Sequence, residues 1–246
     1  MKRDRFSSLG VGQNIKRAWL DATLDMVIAQ TAPEETRKRL FAIVSGSETK
    51  DGLRGKESAK KVLSMLSAWF APKEQCLAVF AGQMLKIAQQ CFREERVALH
   101  WAILSATYPF FMEVSLVAGR LFGMQGSIFR QQIQRRLEEM RGASSTNGRN
   151  LEYALWILCD LGLLRRGDAK GEYLKCDPLP IVNRSLVSAK HELRSASTDR
   201  RSLPKAVARV VPQGPERWLQ GCIDDAADCG GFAETALPNG ALQKVF

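Results

Sequence analysis

Residues 127–176 read SIFRQQIQRRLEEMRGASSTNGRNLEYALWILCDLGLLRRGDAKGEYLKC, and the order of elements in this stretch decides the fold. Phe129, Ile133, Leu137 and Met140 stand at steps of four, four and three, one apolar stripe of a helix. Gly142 is a helix stop, and the hydroxyl and amide side chains from Ser144 to Asn147 suit the cap of a second helix. That second helix buries Leu151, Ala154, Leu155, Leu158 and Leu161 and ends at Gly162. Leu163 and Leu164 begin a short strand, residues 165–171 (RRGDAKG) make a basic turn, and Glu172 to Lys175 return as the partner strand.

Helix, turn, helix, basic hairpin is the order of a winged helix-turn-helix module. The second helix of such a unit can enter a DNA major groove, which is about 12 Å wide. With the inward stripe taken by apolar residues, the outward face is expected to carry Arg149, Asn150, Tyr153 and Trp156. Arg149 and Asn150 fall in the first turn, where side chains reach base edges or phosphates and backbone donors bind phosphate. Arg165, Arg166 and Lys170 would sit on the wing, and Arg130 and Arg135 would reach phosphates from the preceding helix. Glu152 lies among these cations and would repel phosphate. The competing reading is a protein-packing module with its charges on a solvated face.

Composition leaves the classes open but narrows them. A chain of 246 residues with 45% hydrophobic content can bury a sizeable core as one large or two small domains. The 36 Lys and Arg outnumber the 26 Asp and Glu, and a net charge of +10 favours an acidic partner, nucleic acid before anionic membrane. Residues 1–61 and 124–201 carry a net +5 each, residues 62–123 only +1, and the last 45 residues −1. Two basic blocks therefore flank a near-neutral apolar centre. The expected division is an N-terminal helical core domain over 1–123, the winged module over 124–182, and a C-terminal helix, linker and Pro/Gly-rich tail over 183–246. The fold class is mainly α.

The most apolar window, HWAILSATYPFFMEVSLVAGRLF at 100–122, is long enough to tempt a membrane reading. Pro109, Glu113 and Arg120 argue for two core helices broken at Tyr108-Pro109, since a central Glu costs roughly 2.5 kcal/mol or more in hydrocarbon. No membrane partner is expected, and the expected compartment is the cytoplasm. The six cysteines form no CxxC and have no histidine beside them in sequence, so they read as small core residues rather than zinc ligands.

Earlier in the chain, residues 1–12 read as a flexible basic arm. Asn14 reads as the cap of a helix with the stripe Ile15, Ala18, Trp19, Ala22, Met26 and Ala29. Pro33-Glu34-Glu35 starts another helix. Residues 45–56 form a polar loop that fails the phosphate-loop pattern, because Lys50 and Glu57 occupy places that Gly and Ser/Thr would need. Lys56, Lys60 and Lys61 open a helix with the stripe Val62, Leu66, Trp69 and Phe70, and Pro72 is expected to start the next. After the wing, one more helix is expected over 181–194, a linker over 195–202, a strand or short helix over 203–211, and an amphipathic piece over 218–227.

Enzyme chemistry finds little here. Two histidines, at 100 and 191, and the absence of HExxH, GxSxG or paired-carboxylate motifs leave no catalytic residue, metal ligand or cofactor to name. The run from Arg130 to Leu137, the run from Leu151 to Leu164 with its L-x-D-x-G-L-L ending, the Asp177-Pro-Leu-Pro turn and the earlier LHWAILSATYPFF segment resemble the BrxA-type proteins of bacterial BREX phage-defence systems. The resemblance covers about residues 2–180. It implies a helical, non-catalytic accessory protein that binds double-stranded DNA beside other defence-system proteins. The alternative class is a scaffold subunit whose winged helix docks protein.

Overall fold

In a computed structural model the described residues are 11–49, 52–142, 145–176, 235–236 and 242–243. The chain is mainly helical, as the sequence pattern predicts. The expected helix at 181–194, linker at 195–202, strand or short helix at 203–211 and amphipathic piece at 218–227 lie outside the described residues, as does the arm up to residue 10. Val11, read as part of that arm, is instead buried in the core.

Helix α1 spans Arg17–Ile28 and α2 spans Pro33–Ser45. Pro33 at the first position of α2, with Glu34 and Glu35 in its first turn, fits the fixed φ of proline and the positive end of the helix dipole. The start of α1 departs from expectation. Asn14 does not cap it; Lys16 precedes the first turn and offers no side-chain cap. The backbone N–H of Arg17 donates instead to the Asp160 carboxylate, far along the chain. Its buried face also shifts: Ala18 is exposed, while Trp19, Leu20, Thr23 and Leu24 are buried. The large side chains outcompete the alanines for the core because each removes far more apolar area from water.

Within the polar loop, β1 (Glu48–Thr49) and β2 (Gly52–Leu53) pair antiparallel, Glu48 opposite Leu53. Helix α3 (Lys56–Leu66) packs on α2, and Trp69 is buried just beyond its end. Helix α4 spans Gln75–Ala88, starting three residues after the proline expected to begin it. Helices α5 (Arg96–Thr107) and α6 (Pro109–Phe122) break at Tyr108, as read, and bend there by 120°. Residues preceding proline avoid the helical region, and Tyr108 sits at φ −123°, ψ 90°. No single helix among the described residues is long and apolar enough to cross a membrane. Phe110, Phe111 and Leu104 are among the most buried side chains, and α5 and α6 form the centre of the core.

Strand β3 (Ser127–Phe129) follows, then α7 (Arg130–Arg141), α8 (Ser145–Asp160), β4 (Leu164–Arg166) and β5 (Glu172–Lys175). The three strands form one antiparallel sheet in the order β3-β5-β4, with Ile128 and Arg166 both opposite Tyr173. The hairpin of β4 and β5 matches the sequence reading; β3 was not anticipated. Gly142 (φ +83°) ends α7 and Gly162 (φ +77°) ends α8, both in the left-handed region that favours glycine. From the first turn of α8, the buried Asn147 donates from Nδ2 to the Gly142 carbonyl at 3.2 Å and fixes the turn between the two helices. A last pair, β6 (Thr235–Ala236) with β7 (Leu242–Gln243), is antiparallel.

Candidate functional site

Helix α8 makes one turn in 3.6 residues, so each residue advances about 100° around the axis. Leu151, Ala154, Leu155, Ile157 and Leu158, with Leu161 just beyond the helix, are all buried, so core residues cover a little under half its circumference. Arg149, Glu152, Tyr153 and Trp156 occupy the remaining arc; the first two are exposed and the two aromatics are half-buried against the core. Asn150 is not on this face. It lies about 100° from Arg149, on the side of Ala154 and Ile157, and is only 6% exposed. The expectation that Asn150 points outward is therefore corrected.

Arg130, at the start of α7, is also placed differently from a free phosphate ligand. One guanidinium nitrogen donates to Gln134 Oε1 at 2.9 Å and the other to the Gly148 carbonyl at 3.1 Å. Nε lies 3.6 Å from Glu152 Oε1, close enough for attraction and too long for a hydrogen bond, so that buried N–H has no acceptor. Arg130 thus ties α7 to the first turn of α8. Its backbone N–H donates to the Gly171 carbonyl at 2.8 Å, which ties α7 to the hairpin as well. Arg135 is five residues on, about 140° round the helix, where it pairs with Glu139 at 3.3 Å in solvent. It does not join the others.

Strand alternation separates the two hairpin arginines. Arg166 shares the face of Ile128 and Tyr173, which packs on the helices, whereas Arg165 shares the opposite face with Leu174. Both are exposed, as is Lys170 at the turn. Arg149, Arg165, Arg166 and Lys170 make no ion pair among the described residues.

An open cleft of about 980 Å³ lies where these elements meet. The end of β3 supplies Phe129, the start of α7 Arg130, α8 Glu152, and the hairpin Arg166, Asp168, Lys170, Glu172 and Tyr173. Three of the expected site residues are therefore brought together: Arg130, Arg166 and Lys170. Phe129 was read as part of a buried stripe, but it is 39% exposed, and Met140 at the far end of that stripe is 55% exposed. The reason is β3: pairing with β5 takes Phe129 out of the helix and onto the open rim. Its N–H donates to Gln132 Oε1 at 2.8 Å, the reach-back that caps α7. Burial pushes the Tyr173 phenol up from its ordinary range; Cys159 and Glu152 add to this, while Arg166 and Arg130 oppose it. The Cys159 thiol is pushed up to about 11, again by burial.

A second polar cluster lies in the N-terminal half. His100 is fully buried, its Nε2 2.9 Å from Asp21 Oδ1, and Trp69 meets its ring edge-on. Burial lowers the His100 pKa from 6.5 even though Asp21 pulls the other way. Burial also opposes ionisation of Asp21, but the hydrogen bond from His100 and the nearby Arg17 and Arg93 guanidiniums outweigh it and hold the pKa below 3.8. The pair is therefore a neutral imidazole donating to a carboxylate. It is enclosed by the core, and it reads as packing rather than catalysis. Among the described residues, no three of His, Cys, Asp and Glu come together as a metal site.

No family model, no curated protein and no solved structure matches this chain.

Proposed function

We propose that residues 109–175 act as a winged helix-turn-helix that binds duplex DNA, with α8 at the major groove and the β4–β5 hairpin as the wing. The observation that carries this reading is the set of four exposed cations that make no ion pair among the described residues, Arg149, Arg165, Arg166 and Lys170, on α8 and the hairpin. The order α6-β3-α7-α8-β4-β5 with strands β3-β5-β4 supports it, since it sets one helix and one basic hairpin side by side. Arg149 is the residue assigned to a base edge or phosphate; Arg165, Arg166 and Lys170 are assigned to the backbone. Asn150 and Arg130 hold the scaffold instead, and Arg135 is left out of the interface. The protein itself is proposed to be non-catalytic, and its place among phage-defence proteins rests on the resemblance described above.

Anisotropy titration with a random duplex tests the proposal. Four phosphate contacts predict a slope of log affinity against log salt of roughly −3 to −4, and each Lys or Arg removed should lower its magnitude by about one. Arg149→Ala weakens binding by about 1–3 kcal/mol if it reads a base. Absence of binding at low salt would remove the proposal.

One observation favours a second reading, docking of protein. Met124, Phe129 and Met140 are exposed apolar side chains around α7, and Glu152 stands on the open face of α8. A stable partner recovered from cell extract, with association insensitive to salt, would select that reading.

A further inference from the structure

Helix α8 lies between two basic elements, and the β4–β5 hairpin is only one of them. Around the helix, Glu152 stands about 60° to one side of Arg149, while Tyr153 and Asp160 stand about 40° and 20° to the other. Glu152 lines the cleft with Arg166, Asp168 and Lys170, so the hairpin flanks the first side. The second side meets the N-terminal elements, where the Asp160 carboxylate accepts the Arg17 N–H at the start of α1. Arg54, just after β2, stands on this side too. Burial lowers its pKa, and the Tyr153 phenol lies near enough to oppose that.

This second flank gathers cations. Lys16 Nζ lies 5.4 Å and the Arg54 guanidinium 5.2 Å from the centre of one ring, that of Trp19 in the first turn of α1. Arg54 donates to Gln13 Oε1 at 3.3 Å and to Ser58 Oγ at 2.9 Å, both neutral, and its buried Nε has no acceptor. Lys56, two residues further on, is exposed. None of the three makes an ion pair among the described residues. An indole face attracts a cation but leaves its charge in place, so this flank keeps a positive potential. Of the described acids in residues 45–58, Glu57 is held by Lys60 at 2.7 Å and Glu48 lies on β1 opposite Leu53.

An α-helix with its side chains is about 10–12 Å across and the major groove about 12 Å wide, so a helix in the groove fills it and the elements on its two flanks meet the two phosphate rims. We infer that the segment after β2, together with the start of α1, is a second clamp on the duplex. Lys16, Arg54 and Lys56 hold the phosphate rim on the side of α8 away from the β4–β5 hairpin. The inference rests on the DNA-binding reading above and adds to it a contact surface from the other end of the chain.

The test uses the full chain and a random duplex, with anisotropy measured over a range of salt. Three phosphate contacts added to the four above predict a slope of log affinity against log salt of about −6 rather than about −3 to −4. Lys56→Gln, which changes an exposed side chain and spares the core, should lower that magnitude by about one. Lys86→Gln removes the same charge from an exposed position on α4 and should leave the slope unchanged. Added duplex should also slow amide exchange in residues 53–58 as well as in the β4–β5 hairpin. A slope of only about −3 to −4, an unchanged slope in Lys56→Gln, or an equal loss in Lys86→Gln overturns the second clamp and leaves binding through α8 and the hairpin standing. Exchange that slows in the hairpin alone does the same. Absence of binding at low salt overturns both.

Discussion

At the scale of single residues, the chain spends several of its polar side chains on itself. Arg130 and Asn150 were legible as cations or amides near a helix start, and that much is all a sequence pattern carries. Their actual work depends on angle and on neighbours: Asn150 turns toward Ala154 and Ile157, and Arg130 binds the Gly148 carbonyl. His100 is a sharper case, because its burial has a measurable consequence. Its native pKa is depressed below 6.5, so as pH falls the unfolded chain takes up a proton that the folded one resists. Stability from this site is full above 6.5 and declines as pH drops through that value toward the native pKa, with a second loss from Asp21 below 3.8. Urea denaturation between about pH 5 and 8 should show this decline, and His100→Gln, which keeps an N–H for Asp21, should flatten it. An unchanged slope in the variant would mean that another group is responsible. Gly162 gives a second residue-level expectation. At φ +77° an added β-carbon is strained, so Gly162→Ala should cost about 1–2 kcal/mol in denaturant unfolding although nothing crowds the position.

At the scale of elements, hydrophobic period and glycine placement carried far. The stripe Ile133–Leu137, the apolar run of α8, both glycine stops and the β4–β5 hairpin follow from local chemistry and appear where local chemistry puts them. Two element ends do not. Strand β3 is three residues long, too short to show a period of two, and it exists because β5 offers a partner edge. Helix α1 begins without a cap of its own because Asp160 of α8 supplies one. Asp160→Ala should therefore destabilise the protein by roughly 1 kcal/mol, as the loss of an N-cap does. Amide hydrogen exchange should speed up first in the opening turn of α1, far from the mutated residue in sequence. Exchange that rises only at the end of α8 would count against the cross-chain cap.

At the scale of the whole molecule, buried residues from Val11 to Tyr173 form one hydrophobic cluster that runs through the junction at Phe122. Helix α6 lies in its middle, packed against α5 on one side and α7 and α8 on the other. Urea unfolding followed by tryptophan fluorescence should therefore share one transition with far-UV circular dichroism, and Phe110→Ala at the centre should cost about 3–5 kcal/mol. Two separated transitions would show that the segments before and after Phe122 fold independently. The sequence by itself determined the helical class, the break at Tyr108-Pro109, the helix pair of α7 and α8 and the basic hairpin, because these depend on spacing and on the φ preferences of glycine and proline. Only the tertiary structure decided which cations make no ion pair among the described residues, where α1 begins and that Phe129 leaves the helical stripe for a strand. Each of those depends on a partner distant in the chain, and no local pattern encodes where that partner will stand.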